Sequence, residues 1–107
     1  MKLKSINASF SIASGTSLQG YIHATYAELV DFFGEPMEGD GYKVSAEWIF
    51  QFEDGTVATL YDWKLSEPIA NYPLEEYEWH IGGRNQKAVE YLTAEIQQRR
   101  ALRGQPY

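Results

Sequence analysis

The sequence lacks cysteine altogether, and it lacks any long hydrophobic run. Without cysteine the chain can form no disulfide, no thiolate zinc site and no cysteine nucleophile, which is typical of a protein that works in a reducing cytoplasm. No stretch approaches the roughly 18 apolar residues that a membrane-spanning helix needs. The N-terminus alternates Ser or Asn with apolar residues, so it has no continuous apolar segment of the kind that a secretion signal requires. We therefore expect a cytoplasmic protein with no membrane partner.

Aromatic residues are abundant: three Trp, eight Tyr and five Phe among 107 residues. A chain of this length is expected to make one domain, which buries roughly 65% of the surface that the extended chain exposes. The aromatic rings must supply much of its core, because each ring buries a large apolar area. We assign residues 1–107 to a single domain and expect residues 104–107 to fray.

Negative charge is concentrated in the middle of the sequence. The net charge is −6, but residues 28–78 hold thirteen Asp or Glu against Lys43 and Lys64, a local charge of −11, while residues 1–27 carry +2 and residues 79–107 carry +3. Phosphate backbones are bound by clustered Lys and Arg, so we expect no direct binding of nucleic acid. An acidic surface favours a basic protein or ribonucleoprotein partner, and the alternative is that the charge only keeps the chain soluble.

The first part of the chain shows the period of two that is typical of half-buried strands. Apolar and polar residues alternate over residues 5–12 and again over residues 18–24, and residues 14–17 between them have turn chemistry. This pattern predicts two strands that pair as a hairpin. Gly20 lies inside the second strand, where a glycine marks a bulge or a close approach of another element.

Two helices are predicted from capping residues and apolar spacing. Thr25 and Glu28 have the spacing of a capping box, and Gly34 with Pro36 would end the first helix. The second helix would begin near Asn85 and present an apolar stripe at Ala88, Val89, Leu92 and Ile96. Its C-terminal turn carries three cations that suit the negative end of the helix dipole, Arg99, Arg100 and Arg103.

The dipeptide Asp54-Gly55 is the strongest hairpin signal in the sequence, and it separates strands predicted at residues 47–53 and 56–63. If the dipeptide is a two-residue loop, one face of the hairpin carries seven side chains that we expect to face the core: Trp48, Phe50, Phe52, Val57, Thr59, Tyr61 and Trp63.

The same register fixes what the other face of that hairpin carries. Glu47 would lie directly opposite Asp62, and Ile49 would pair with Leu60 among the polar side chains. Two carboxylates opposed across a strand pair repel each other unless a cation or a proton relieves the repulsion.

One more short strand completes the predicted fold. Tyr77, Trp79 and Ile81 alternate with Glu76, Glu78 and His80, and two glycines then end the pattern. The resulting order is ββαβββα, which predicts an α+β fold: an antiparallel sheet of about five strands with two helices packed on one face. The second face of such a sheet can be left to water.

The expected site is acidic and lies on that second face and its adjoining loops. Carboxylates at strand spacing can stand in for phosphates on a basic, nucleic-acid-binding surface, and exposed tyrosines favour interfaces. The residues predicted to contact a partner are Glu35, Glu38, Asp40, Tyr42, Glu47, Glu53, Asp54, Asp62, Glu76, Tyr77 and Glu78.

Catalysis and metal binding find little support in the sequence. His80 would share a sheet face with Glu47 and Asp62, which is a possible carboxylate-histidine metal site, but Lys43 and Lys64 are simpler partners for those carboxylates. Paired carboxylates catalyse only in a cleft that separates their pKa values, and a flat sheet face offers none. We assign no catalytic residue, no metal and no cofactor, and we do not expect an enzyme.

Five short motifs form a distinctive set: Gly39-Asp40-Gly41-Tyr42-Lys43, Trp79-His80-Ile81-Gly82-Gly83, Phe33-Gly34-Glu35-Pro36, Ala46-Glu47-Trp48 and Asp54-Gly55-Thr56-Val57-Ala58-Thr59. With these motifs the chain resembles a group of small uncharacterised proteins encoded by tailed phages. The resemblance covers roughly residues 17–92 and brings no catalytic residues with it. It implies a phage accessory protein in the bacterial cytoplasm, a setting in which small acidic proteins look like inhibitors of host defence complexes such as CRISPR effectors.

Two functions from different classes therefore remain. The first is an inhibitor that presents its acidic face to a basic host protein. The second is a binder that sequesters a small anionic signalling nucleotide in an oligomer, for which only five residues could build a positive pocket: Arg84, Lys87, Arg99, Arg100 and Arg103. The charge balance favours the first, and the pattern leaves open whether the chain is a monomer or a homodimer.

Overall fold

A computed structural model describes residues 1–39 and 43–104, and it confirms an α+β fold with an antiparallel sheet. The six strands are β1 (Leu3–Ile6), β2 (Ser17–Thr25), β3 (Met37–Glu38), β4 (Ala46–Phe52), β5 (Val57–Tyr61) and β6 (Glu76–Gly83). The helices are α1 (Tyr26–Phe33) and α2 (Lys87–Arg103), with short 3-10 helices at Phe10–Ala13 and Ile69–Asn71. Strands run in the order β1-β4-β5-β6-β2, and β3 also pairs with β4. Within these ranges no helix is both long and apolar enough to cross a membrane.

The core lies between one face of this sheet and the two helices. Trp48 of β4 and Trp79 of β6 are fully buried there, and their rings meet edge to face at 5.5 Å between centroids. Each buried indole N–H needs an acceptor, and each donates to a carbonyl, of Gly34 at 2.9 Å and of Ala24 at 3.0 Å. The helices contribute buried apolar residues to the same core: Leu29, Phe33, Ala88, Leu92 and Ile96.

The predicted cap of α1 is present, whereas the N-cap of α2 is Gln86, which makes no side-chain capping bond. The hydroxyl of Thr25 accepts a hydrogen bond from the backbone N–H of Glu28 at 3.0 Å, which satisfies one of the free donors of α1. Gly34 ends α1 with a φ of 81°, in the left-handed region that favours glycine. Before α2, the side-chain oxygen of Asn85 accepts from the N–H of Lys87 at 2.9 Å.

The prediction of an N-terminal hairpin was wrong, because β1 and β2 lie at opposite edges of the sheet. The strand predicted over residues 5–12 ends at Ile6, and Asn7 follows with a φ of 56°. The N–H and side-chain oxygen of Asn7 both bond the backbone of Ile49 on β4, at 2.7 Å each, which fixes this turn. The chain then leaves β1, forms a 3-10 helix and crosses the sheet to β2. The bulge at Gly20 is confirmed as a shift in the pairing of β2 with β6.

The β4–β5 hairpin exists, but its register differs from the prediction by one residue. Phe50 lies opposite Ala58, and Gly55 N–H donates to the carbonyl of Phe52 at 2.9 Å, so the loop has three residues instead of two. Gly55 has a φ of 89°, as a three-residue hairpin loop requires. A slip of one residue exchanges the two faces of a strand.

This register corrects the predicted faces of β5. Three core residues of β4 were predicted correctly: Trp48, Phe50 and Phe52. On β5, the side chains on the core face are instead Ala58 and Leu60. The residues moved to the opposite face are Val57, Thr59 and Tyr61, and Trp63 just beyond β5 packs with Tyr61. Glu47 lies opposite Tyr61, so it does not face Asp62, and Ile49 pairs with Thr59 instead of Leu60.

Candidate partner-binding surface

The sheet face that the helices leave bare is called here the open face, and the N-terminal crossover, residues 7–16 between β1 and β2, packs on one side of it. The 3-10 helix at Phe10–Ala13 packs against β5. The guanidinium of Arg84 holds the crossover in place, donating to the carbonyls of Ile12 and Ser14 at 2.7 Å each. Ile49 of the open face is consequently fully buried. Only the half of the open face away from this crossover remains accessible.

Four ring side chains form a cluster on the accessible half, called here the aromatic patch: Tyr21, Tyr61, Trp63 and His80. His80 lies at its centre, with the Tyr21 and Tyr61 rings edge-on at 5.0 and 5.4 Å between centroids. Trp63 stacks on His80 with 24° between the ring planes. Tyr21 is 50% exposed and Trp63 37% exposed, so the patch offers aromatic surface to solvent. Tyrosine and tryptophan at a surface are the residues most enriched in protein interfaces.

Charged groups of both signs surround the patch. Glu76 and Glu78 lie on β6 on the same face, and the Glu78 carboxylate is 3.1 Å from Nε2 of His23. On the other side, the Nζ atoms of Lys43 and Lys64 lie 5.7 and 5.6 Å from the centroid of Trp63, within the range of a cation–π contact. The face is therefore an aromatic patch between carboxylates and ammonium groups, in place of the uniformly acidic surface that the sequence predicts.

Partial burial changes the titration of two members of the patch. Desolvation lowers the pKa of His80, although Glu78 and Asp62 act in the opposite direction. Desolvation also raises the pKa of Tyr61, and the charge of Glu47 raises it further. Both shifts favour the uncharged form of the side chain at the centre of the patch.

Asp62 does not lie on the open face, and this corrects its predicted role as a surface carboxylate. The residue is only 1% exposed. Its carboxylate accepts from the N–H groups of Ser45 and Ala46 at 2.8 and 2.9 Å and from the hydroxyl of Ser45. The hydroxyl oxygen of Ser45 in turn accepts a hydrogen bond from the N–H of Ile69 at 3.1 Å. Asp62 thus ties together the segment before β4, the end of β5 and the connection to β6.

The remaining predicted contact residues fall at separate places. Glu53 and Asp54 lie in the β4–β5 loop, where Asp54 accepts from the N–H of Thr56 at 2.9 Å and from the Tyr91 hydroxyl at 3.0 Å. The hydrogen bonds from Thr56 lower the pKa of Asp54.

Glu35 follows α1 and Glu38 belongs to β3, so both lie beside β4 at its far edge from β6. Asp40 and Tyr42 fall outside the described residues. Tyr77 is half-buried, its side chain lies against the core, and its hydroxyl accepts from the N–H of Trp63 at 2.9 Å. Desolvation raises the pKa of Tyr77.

The structure therefore gathers only part of the predicted set on one accessible surface. Glu47, Glu76 and Glu78 share the open face with the aromatic patch. Tyr21 was not predicted as a contact residue, although it occupies one of the positions in β2 that alternate with the apolar residues. Tyr61 and Trp63 were predicted to lie in the core, because the predicted hairpin register placed them there.

The three arginines near the end of α2 are engaged in contacts inside the chain. Arg100 and Arg103 bond the carboxylate of Glu28, at 2.6 and 2.7 Å. Arg99 pairs with Glu95 at 3.0 Å, and its guanidinium lies over the ring of Phe33. These contacts occupy the guanidinium groups that an anionic ligand would need. Throughout the described residues, no cluster of three or more His, Asp or Glu is arranged to hold a metal ion.

Protein-family models, curated proteins and solved structures were each compared with this chain, and none of them matches it.

Proposed function

We propose that this chain is a non-catalytic binding protein that uses its open face to hold a basic surface of a partner protein. In line with its resemblance to tailed-phage accessory proteins, the partner would be a bacterial defence complex, and binding would block the surface that the complex uses for nucleic acid. The observation that carries the proposal is the exposed aromatic patch beside Glu76 and Glu78.

The patch has the composition of an interface centre. Tyrosine and tryptophan supply large contact areas with little entropy to lose, and their polar tips tolerate water when the partner is absent. Tyr21 and Trp63 keep their rings accessible instead of burying them in the core. The surface of a small monomer usually avoids such a cluster unless it is used.

The charge on the β6 side of the patch favours a basic partner. Residues 28–78 carry a local charge of −11, and Glu78 on the open face keeps more than half of its side-chain area exposed. An acidic field accelerates encounter with a positive surface and repels nucleic acid. Arginine of a partner can stack on a tyrosine ring while its guanidinium pairs with a carboxylate, and the patch beside Glu78 offers both.

The nucleotide-sequestering alternative has weaker support. It requires a pocket of unengaged cations, and Arg99, Arg100 and Arg103 bond the chain's own carboxylates and carbonyls. Arg84 likewise donates to the crossover. Freeing these groups for a ligand would break contacts that hold α2 and the N-terminal segment.

The test is affinity capture from a bacterial lysate with three matched baits. The first is the unchanged protein, the second carries Glu76→Lys and Glu78→Lys, and the third carries Asp31→Lys and Glu90→Lys. The second and third baits have the same net charge, but the third changes exposed positions on the helices. We expect the first and third baits to retain the same basic protein, and the second to lose it or to associate about tenfold or more slowly.

A further bait with Tyr21→Ser and Trp63→Ser separates the ring contribution from the charge. Loss of two central aromatic contacts should weaken binding by about 1,000-fold, since one central interface residue contributes about 2 kcal/mol, which is about 30-fold by itself. The proposal fails if both charge variants lose the captured protein equally, if the ring variant keeps full affinity, or if the retained proteins are not basic.

A further inference from the structure

An open groove runs along the outer edge of β2, beside the aromatic patch. Its volume is about 590 Å³, and it lies between residues 21–25 of β2 and the α2 side chains Thr93, Gln97 and Arg100. Glu76 and Glu78 line the same groove. Tyr21 belongs to both features, so the groove and the patch form one continuous surface.

The floor of the groove is the edge of the sheet. β2 pairs with β6 on one side, and in the described chain no strand pairs with its other side. The carbonyl of His23 accepts from Arg100 of α2 at 2.8 Å, so it faces away from β6 and into the groove. Backbone groups of alternate residues in an antiparallel strand face the same way, so the N–H and carbonyl of Tyr21 also face the groove.

This edge lacks some of the features with which proteins usually protect an exposed strand. Over Ser17–Thr25 there is no proline and no Lys, Arg, Asp or Glu. The backbone of this edge is protected only in part. At one end are the bulge at Gly20 and a hydrogen bond from the side chain of Gln86 to the carbonyl of Gln19. At the other end, Arg100 donates to the carbonyl of His23. Between them, Tyr21 can exchange two backbone hydrogen bonds with an added strand, and His23 can donate a third.

We propose that the groove takes an extended, basic segment of the partner, which adds as a strand to the outer edge of β2. This deepens the proposed function, on which it rests, by naming the binding mode. Side chains of an added strand alternate between the two faces of the sheet. Those on the open face lie beside Tyr21, His23 and Thr25 of β2. A Lys or Arg side chain is long enough to pass over β2 to the exposed carboxylate of Glu78, which lines the same groove.

Charge complementarity selects this occupant over a second copy of the chain. Pairing β2 with β2 of another copy would bring together two grooves that are each lined by Glu76 and Glu78, in a chain whose net charge is −6. A basic segment meets the same carboxylates with favourable charge. Five residues of strand span about 13 Å, so a short segment covers the groove from residue 21 to residue 25.

The test uses an eight-residue peptide of alternating Arg and Thr, and a control of the same sequence in which every peptide nitrogen is methylated. The control keeps the charge and loses the backbone donors. We expect the first peptide to bind and to slow hydrogen exchange of the Tyr21 and His23 amides about tenfold or more. The Glu76→Lys, Glu78→Lys variant should bind it about tenfold more weakly than the Asp31→Lys, Glu90→Lys variant does.

Three other outcomes of this experiment would contradict the proposal that a basic segment adds as a strand to β2. If the methylated peptide binds equally well, the acidic surface recognises basic segments without pairing, and the proposed function survives while this inference fails. Absence of binding by either peptide also overturns it, and lysate capture then still tests the function by itself. If sedimentation shows a dimer whose Tyr21 and His23 amides are protected without any peptide, the occupant of the edge is a second copy.

Discussion

The two faces of this sheet both carry aromatic rings, but they use them in different ways. On the helix-covered face, Trp48 and Trp79 are fully buried, and each indole N–H donates to a backbone carbonyl. On the open face, Tyr21 and Trp63 keep a third to a half of their surface exposed. The difference separates rings that hold the fold together from rings that are available for contact.

The covered half of the open face sharpens this comparison. Ile49 lies on the open face and is as completely buried as any core residue, because the N-terminal crossover lies over that half. The apolar residues of a strand therefore do not show whether the helices or the N-terminal crossover will cover them. What distinguishes the accessible half is its mixture of rings with Glu76, Glu78 and two lysines.

The largest expected effect is on the helix-covered face. Phe50→Ala removes a fully buried ring that packs edge to face against Phe33 at 4.8 Å between centroids. The free energy of unfolding should fall by about 3–5 kcal/mol, because a cavity forms in a packed core. Trp63→Ala on the open face should lower it by only about 1 kcal/mol. Urea denaturation of both variants checks this, and equal losses would erase the distinction between the faces.

The next largest effect concerns the buried carboxylate at the end of β5. Asp62→Ala leaves the N–H groups of Ser45 and Ala46 without their acceptor, so the free energy of unfolding should fall by about 1–3 kcal/mol. Glu76→Ala, an exposed carboxylate, should change it by no more than about 0.5 kcal/mol. If the two substitutions have the same effect in urea denaturation, Asp62 is a surface carboxylate as the sequence predicts.

Strands with polar residues on one face only were predicted well from the sequence. In β6, Trp79 and Ile81 alternate with the polar residues Glu78 and His80, so only one register buries the apolar set. In β5, residues 57–60 are all buried, because the crossover packs on one face of the strand and the helices pack on the other. Nothing in β5 itself could distinguish a two-residue from a three-residue loop at Asp54-Gly55.

The site was predicted less well than the fold, and for related reasons. The burial of Asp62 depends on contacts with Ser45 and Ile69, which are distant in sequence. The aromatic patch depends on the register of β5, so the one-residue error in the predicted register placed Tyr61 and Trp63 in the core instead of at the surface. Pairing of β1 with β4 depends on Asn7 reaching Ile49, a contact across 42 positions that local alternation cannot indicate.

The next effect concerns the carboxylate of Glu28 on the helix side of the molecule, and it depends on pH. Although partial burial acts to raise it, the hydrogen bonds from Arg100 and Arg103 lower the pKa of Glu28 below its ordinary value of 4.5. A lowered pKa in the folded state stabilises the fold above pH 4.5, and the contribution is lost as the pH falls through the folded-state pKa. Glu28→Gln should therefore lower the free energy of unfolding by about 1–2 kcal/mol at pH 7. That difference from the unchanged chain should shrink in urea melts at progressively lower pH, whereas a constant difference would mean that the ionised carboxylate contributes nothing.

The smallest expected effect is the titration of His80 in the aromatic patch. Desolvation lowers its pKa below the ordinary value of 6.5, so between the two values the unfolded chain binds more protons than the folded one. Stability should therefore fall as the pH drops through 6.5, and the loss should stop below the folded-state pKa. His23 is the other histidine, so the measurement is made in a His23→Gln background and compared with the His23→Gln, His80→Gln double variant. We expect the single variant to lose less than about 1 kcal/mol relative to the double variant between pH 8 and pH 5, by urea denaturation. A gain instead would mean that His80 is held as a cation, and a positively charged patch centre would repel the arginine and lysine side chains that the proposed partner offers.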